Sequence, residues 1–343
     1  MYYDLIKSIL FRLQPETAHR FTLRALRAAH TLGLQRYFPK PLASPCKLMG
    51  LNFINPLGLA AGLDKNGDYI DALAALGFGF LEVGTVTPKP QIGNPLPRLL
   101  RVKEHQALIN RMGFNNKGVD YLVKQLQTMQ YQGIIGVNIG KNADTPLATA
   151  YEDYVYCFRR VAPFASYVTL NISSPNTADL RDLQHADLLH QLLLAVKKEQ
   201  ILFQELQNKR VPIVVKISPD LNDEALQVMA EIFLKVKIDG VIATNTTLNH
   251  QAIEGHTLAS ESGGLSGKPL MQPATEVLRK LHVFLKNQIP LIASGGVMTE
   301  ADVLAKLAAG AELVQVYTGL IYHGPGLITA ACERIANFVP PTR

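Results

Sequence analysis

Ser166-Tyr-Val-Thr-Leu-Asn-Ile-Ser-Ser-Pro-Asn-Thr177 begins as a β-type run and ends as a knot of amides and hydroxyls. The first half has the apolar and β-branched character of a buried strand. The second half places Asn171, Ser173, Ser174, Asn176 and Thr177 where that strand opens into a loop. Taken alone, these residues also read as an ordinary strand-to-helix turn, since Ser, Pro, Asn and Thr are turn and cap formers. Other strand ends carry the same kind of polar cluster, and that favours a ligand site.

The same theme recurs along the chain: a short apolar run, a polar or Gly-rich loop, then helix-compatible sequence. The candidate strands are Leu57–Ala60, Phe80–Gly84, Ile134–Val137, Tyr167–Leu170, Ile213–Lys216, Gly240–Ala243, Leu291–Ala293 and Leu313–Val316. Eight such units predict an α/β fold, a (β/α)₈ TIM barrel over residues 45–343. An open doubly wound sheet is the alternative, but no Gly-x-Gly-x-x-Gly follows the first strand. Cys46–Ile54 reads as a hairpin that closes the barrel bottom.

In such a barrel, chemistry collects at the carboxyl ends of strands. Those ends read Ala60-Ala-Gly-Leu-Asp-Lys-Asn66, Gly84-Thr-Val-Thr87, Asn138-Ile-Gly-Lys141, the opening stretch, Lys216-Ile-Ser218, Thr244-Asn-Thr-Thr247, Ser294-Gly-Gly296 and Tyr317-Thr-Gly319. The glycines of the last two can offer backbone N–H groups where barrels often hold a phosphate. Lys216 ends an apolar strand, so its ammonium needs an anion or acceptor. Asp64 is one structural partner for Lys65 or Lys216; a ligand anion is the other. Asn110, Asn138, Asn171, Asn176 and Asn245 present donor and acceptor edges suited to a planar heterocycle. No carboxylate pair for glycoside chemistry sits at the strand ends. Neither His-x-His, His-Glu-x-x-His nor Cys-x-x-Cys occurs, so no metal site is expected.

The charge is uneven. Of a net +6, residues 1–40 hold Lys7, Arg12, Arg20, Arg24, Arg27, Arg36 and Lys40 against Asp4 and Glu16. These charges alternate with apolar residues, which points to an anionic lipid surface rather than nucleic acid. A short helix over residues 3–13, a break at Gln14-Pro15, and a second helix to about Gly33 are expected. The second helix is apolar on two sides: Ala18, Phe21, Ala25, Ala28 and Leu32 on one, His19, Leu23, Leu26 and His30 on the other. A hairpin that covers one barrel mouth in water is the competing reading. Leu34–Pro45 reads as a stiff linker. No apolar run reaches the length of a transmembrane helix, and the start lacks a signal-peptide layout.

Ala61-Gly-Leu-Asp-Lys65, Asn110-Arg-Met-Gly-Phe114, Asn171-Ile-Ser-Ser-Pro-Asn-Thr177, Lys216-Ile-Ser-Pro219 and Gly263-Gly-Leu-Ser-Gly267 closely resemble dihydroorotate dehydrogenase, in its quinone-dependent, membrane-associated class 2. The resemblance covers nearly the whole chain in order. It implies FMN at the barrel mouth, held by Ala61, Gly62, Lys65, Thr85, Asn138, Asn171, Lys216, Thr244, Gly267, Gly296, Tyr317 and Thr318. It implies that Lys65, Asn110, Arg111, Met112, Gly113, Phe114, Asn171, Asn176, Asn245 and Thr246 hold dihydroorotate. Ser174 takes the position of the catalytic base, which removes a proton from C5 as hydride leaves C6 for FMN; Thr177 is a candidate for its proton relay. His19 and Arg101 match the quinone site, bounded by the amino-terminal segment 1–40.

The same resemblance implies oxidation of (S)-dihydroorotate to orotate in pyrimidine (UMP) biosynthesis, with electrons passed to a membrane quinone. It places the chain peripherally on the cytoplasmic side of the cell membrane, with no partner subunit required. One departure is Ala178-Asp179, where the family commonly has Pro-Gly; it bears on movement of a substrate lid. The competing readings are another FMN barrel dehydrogenase acting on a reduced pyrimidine, and a binding barrel without catalysis.

Overall fold

The computed structural model of the chain describes residues 2–177 and 179–338. Two helices lead, α1 (Tyr2–Leu10) and α2 (Pro15–Thr31), with Pro15 in the first turn of α2 and Gly33 left-handed just beyond it (φ 72°). A hairpin follows, β1 (Cys46–Leu48) with β2 (Leu51–Phe53), then β3 (Leu57–Leu59), α3 (Ile70–Ala74) and β4 (Phe80–Val86). Next come β5 (Leu99–Val102), β6 (Ala107–Asn110), α4 (Val119–Thr128), β7 (Ile134–Ile139), α5 (Ala150–Val161), β8 (Tyr167–Asn171) and α6 (Ala186–Gln207). The chain continues through β9 (Ile213–Ile217), α7 (Asp223–Val236), β10 (Gly240–Ala243), β11 (Gly264–Gly267), α8 (Met271–Phe284) and β12 (Leu291–Ser294). It ends with α9 (Glu300–Ala308), β13 (Leu313–Val316), α10 (Thr318–His323) and α11 (Gly326–Ala336).

Strands β3, β4, β7, β8, β9, β10, β12 and β13 pair in that order, all parallel, and β13 closes on β3. The eight expected strands are therefore the eight barrel staves, and the open-sheet alternative fails because the ladder has no edge. Parallel barrel strands are buried on both faces, so they read as apolar runs rather than as alternation. Five of the eight run one or two residues beyond their expected ends. Asn171, for example, still pairs with Lys216 across β8 and β9. Three antiparallel strands, β5, β6 and β11, form a separate sheet in addition to the eight expected strands.

The barrel interior is layered. Phe53, Phe80, Tyr167, Val214, Ile242, Ile292 and Leu313 plug its amino-terminal end, beneath which the β1–β2 hairpin packs Cys46, Leu48, Met49 and Leu51. Side chains replace hydrogen at Gly58 and Gly136 only by collision, because the rings of Phe80 and Tyr167 lie 2.3 and 2.1 Å from where their Cβ atoms would be. Above the plug sits a polar layer with Glu82, Asn138, Thr169 and Gln315. The carboxyl-terminal mouth lies beyond it.

The α1–α2 hairpin docks beside that mouth. Tyr3 donates its hydroxyl to the Ile321 carbonyl (2.7 Å), Phe11 packs edge-on against Tyr322 (5.2 Å), and the Arg27 guanidinium stacks over Tyr69. Ala18 and Leu23 of α2 are buried. On the side that Ala18 shares with Phe21 and Leu32 the rest is not: Phe21 is 59% and Leu32 73% exposed, next to exposed Arg20 and Arg24. No described helix is long and apolar enough to cross a membrane.

Candidate active site

The carboxyl ends of the staves enclose a cavity of about 150 Å³ that opens to solvent. Lys65, Thr85, Asn110, Asn171, Ser174, Asn176, Lys216, Asn245 and Gly296 all face it. So do Ala61, Gly62, Met112, Gly113, Phe114, Thr244, Thr246, Gly267, Tyr317 and Thr318. Residues that are scattered over the sequence thus meet at one mouth, because most follow a stave, while Asn110 to Phe114 and Gly267 are brought there by the β5–β6–β11 sheet.

Two lysines enter this cavity without a hydrogen-bond partner among the described residues. Lys216 is 6% exposed, and desolvation lowers its pKa against the opposing pull of Glu82. Desolvation pushes Lys65 down to about 8, with Glu16 pulling the other way. Asp64 does not neutralise either one directly. Its two oxygens accept the backbone N–H groups of Asp68 and Tyr69 (3.0 and 2.7 Å), which shapes the Lys65 loop, and burial raises its own pKa to about 6. Buried cations left unpaired in a cavity are costly unless a ligand brings the anion.

Around them runs an amide network. Asn176 donates to Asn110 Oδ1 (3.1 Å), Asn245 to Ser173 Oγ (3.0 Å), and Asn171 to Thr85 Oγ1 (3.0 Å). Ser174 is 6% exposed, and its Oγ accepts only the Asn176 backbone N–H (3.3 Å). Its hydroxyl proton therefore has no acceptor among the described residues. Three residues on, the Thr177 hydroxyl is buried and makes no hydrogen bond among them. Asp179 adopts the left-handed conformation (φ 56°), which Asp tolerates better than most residues; Ala178 lies outside the described residues.

A phosphate cradle stands at the far side. The backbone N–H groups of Gly295, Gly296 and Val297 donate to nothing among the described residues. Gly296 has φ 80°, and a Cβ there would come 2.1 Å from Met271 Cα. The chain can turn there only as glycine, and Gly295, Gly296 and Val297 all line the cavity. Thr318 and Gly319, first in α10, add donors that a helix start leaves free.

A second cavity, of about 430 Å³, lies between the hairpin and the barrel. Its wall is almost wholly apolar, with His19 and Arg101 among the few polar side chains. Burial, with Lys65 and Arg20 nearby, pushes the His19 pKa down to about 4, so its imidazole is neutral near pH 7. Arg101 donates to the Leu13 carbonyl (2.8 Å) and stacks on Phe11, 4.7 Å from the ring centre. Leu99, Leu108 and Tyr317 line both cavities and form the partition between them.

Two expected site residues are not brought to the cavity wall. Arg111 instead binds Glu261 (2.6 Å) and the Ser262 carbonyl (3.1 Å), clamping the segment ahead of β11. Asn138 is fully buried below the mouth, between Glu82 and Thr85. Conversely, Leu99, Leu108, Ser266, Ser294 and Gln315 line the mouth without having been singled out. A Gln inside the apolar run Leu313-Val-Gln-Val316, like the Glu inside Phe80-Leu-Glu-Val83, was the available signal.

Comparison with known proteins agrees with this geometry. A family model described as dihydroorotate dehydrogenase matches residues 44–339. The dihydroorotate dehydrogenase (quinone) of Burkholderia cenocepacia is 55% identical over 336 residues, covering 98% of this chain and 97% of that protein. That of Cellvibrio japonicus is 52% identical over 337 residues, covering 98% of both. The crystal structure of DHODH in complex with ferulenol from Eimeria tenella superposes with a TM-score of 0.85 at 36% identity, over 96% of this chain and 94% of that one. With the match running through the barrel, its mouth and the amino-terminal hairpin, the chain belongs to the dihydroorotate dehydrogenase family.

Proposed function

We propose that this protein oxidises (S)-dihydroorotate to orotate and delivers the electrons to a membrane quinone, a step of pyrimidine (UMP) biosynthesis. The observation that carries the reading is the convergence of Ser174, the unpaired Lys65 ammonium and four asparagine amides in one cavity that also holds a phosphate cradle. The family is one of flavoenzymes, and FMN is the flavin that fits. Gly295, Gly296 and Thr318 would take its phosphate, while Lys216, Thr85, Thr244 and Asn171 would meet its ring system. Bound there, FMN supplies a two-electron acceptor for hydride.

The residues of this chain do the rest. Lys65 binds the substrate carboxylate, and Asn110, Asn171, Asn176 and Asn245 read the edges of the pyrimidine. Ser174 accepts the C5 proton. A serine hydroxyl is a weak base in water, so it depends on positioning and on an outlet for its own proton. The Thr177 hydroxyl, buried on the same loop without a partner, is the outlet we assign. Phe114 and Met112 close the cavity and exclude water.

The second cavity takes the quinone, with His19 and Arg101 as its polar contacts and Tyr317 in the partition toward the flavin. The exposed apolar and basic face of segment 1–40 seats the protein peripherally on the cytoplasmic side of the membrane, with 45–343 as the catalytic unit. The test is dihydroorotate oxidation by the purified protein with a soluble quinone as acceptor, followed as orotate formation. A yellow protein that forms no orotate keeps the flavin and loses this substrate.

A further inference from the structure

Glu82 is a carboxylate placed in the middle of the barrel, 1% exposed. Its Oε1 accepts Asn138 Nδ2 (2.8 Å). Its Oε2 accepts Gln315 Nε2 (2.7 Å), the Tyr167 hydroxyl (2.9 Å) and the Thr169 hydroxyl (3.2 Å). A carboxylate only accepts hydrogen bonds, so both amides must turn their NH₂ groups toward it. That fixes everything above. Asn138 is left with its carbonyl upward, where it accepts the Thr85 hydroxyl. The Thr85 oxygen is then free to accept Asn171 Nδ2, and Asn171 Oδ1 in turn accepts Asn245 Nδ2.

The other branch ends in the open. Gln315 lines the cavity, its NH₂ is spent on Glu82, and its Oε1 is buried without a partner. That acceptor is reserved for a donor on a ligand. Glu82 is also the acidic group acting on Lys216, whose ammonium has no hydrogen-bond partner among the described residues. A buried charge costs several kcal/mol and is weak evidence for stability alone. Its retention at this depth fits a functional duty better than a structural one.

We propose that Glu82 is a positioning residue for the oxidoreduction: it imposes one hydrogen-bond polarity on Asn138, Thr85, Asn171 and Gln315, and it holds a negative charge in the layer beneath the flavin site. The inference rests on the flavin reading above. It touches neither substrate nor cofactor directly and acts through side chains that do.

Glu82→Gln keeps the volume and removes the charge. Its amide must aim a donor at one of the four groups that now donate, so one bond is lost or one amide turns over. Two effects follow. With the buried negative charge gone, the equilibrium shifts about tenfold toward reduced flavin, a rise of about 30 mV for a two-electron couple. Orotate binding to the oxidised holoenzyme weakens about tenfold, the worth of one hydrogen bond.

Tyr167→Phe takes away one donor to Glu82 from a side chain that does not line the cavity, so the uncovered carboxylate lowers the potential instead. Opposite signs from the two variants are the mark of an electrostatic role, since mere loosening of the barrel moves both the same way. The measurement is photoreduction of each holoenzyme against a reference dye, with orotate titrations alongside. Where Glu82→Gln does not retain flavin, the sign of the Tyr167→Phe shift decides. A flavin-loaded wild type whose potential neither variant moves, or both move alike, overturns the proposal alone. A wild type that takes up no flavin overturns the flavin reading with it.

Discussion

Arg98 grips Glu16 with two parallel hydrogen bonds, Nε to Oε2 at 3.2 Å and Nη2 to Oε1 at 2.9 Å. Glu16 lies in the first turn of α2 and Arg98 just ahead of β5, so the pair fastens the helical hairpin to the barrel. Both side chains are largely covered, at 10% and 20% exposure, which sets the pair apart from surface salt bridges worth little. The Arg98 hydrogen bond holds the Glu16 pKa below the ordinary carboxylate value. The contribution is therefore complete above the unfolded carboxylate range and is lost as pH falls through the lower folded value.

Glu16→Gln should loosen the hairpin by about 2 kcal/mol, the usual worth of a hydrogen bond to a charged group. Limited proteolysis should then cut residues 1–40 sooner at neutral pH, with the barrel left intact. Unchanged cleavage in the variant removes the pair as the fastening.

Lys65 makes substrate affinity depend on pH. Its pKa is pushed down to about 8 by burial, and only the ammonium binds a carboxylate. Affinity for orotate should be flat below about pH 8 and fall up to tenfold per pH unit above it, until the raised pKa of the complex is reached. Lys65→Met should weaken binding and flatten the profile. A wild-type dissociation constant that holds from about pH 7 to about pH 9.5 would place the carboxylate elsewhere.

How much of this was legible in the sequence depended on where a residue sits in its stave. The apolar runs announced all eight staves because both of their faces are buried. Strand ends were set short where a polar residue, such as Asn171 or Ser294, still belonged to the ladder. The β5–β6–β11 sheet is not legible because strands such as Leu99–Val102 and Ala107–Asn110 lie within a long excursion outside the repeating β/α pattern. With it went Leu99 and Leu108, the partition between the cavities. Polar residues at strand ends were found; Glu82 and Gln315, one layer deeper, were not. Arg111 was grouped with its motif neighbours, but its long side chain reaches away to Glu261.

Ser174 faces the cavity with its oxygen held by the Asn176 N–H and its own proton without an acceptor among the described residues, as the proposed base requires. Ser174→Ala should slow reduction of the flavin by dihydroorotate about 100-fold or more, the low end of general-base contributions. Flavin content and orotate affinity should stay near wild type. Stopped-flow reduction at the wild-type rate in that variant would sink the assignment.

Ile9 and Phe21 lie on the face proposed to meet lipid. They are 58% and 59% exposed on α1 and α2, and they take no part in the wall of the second cavity. Neither anchors the fold, so their replacement separates membrane seating from catalysis. Burying such a side chain is worth about 1.5–3 kcal/mol, and Arg20 and Arg24 beside them add attraction to anionic headgroups. The double variant Ile9→Asp, Phe21→Asp should lose at least tenfold in affinity for anionic vesicles. Turnover with a long-chain quinone carried in those vesicles should fall with it, while a short soluble quinone is reduced at the wild-type rate. Equal loss with both acceptors would mean that the hairpin shapes the quinone cavity rather than delivering the protein to the membrane.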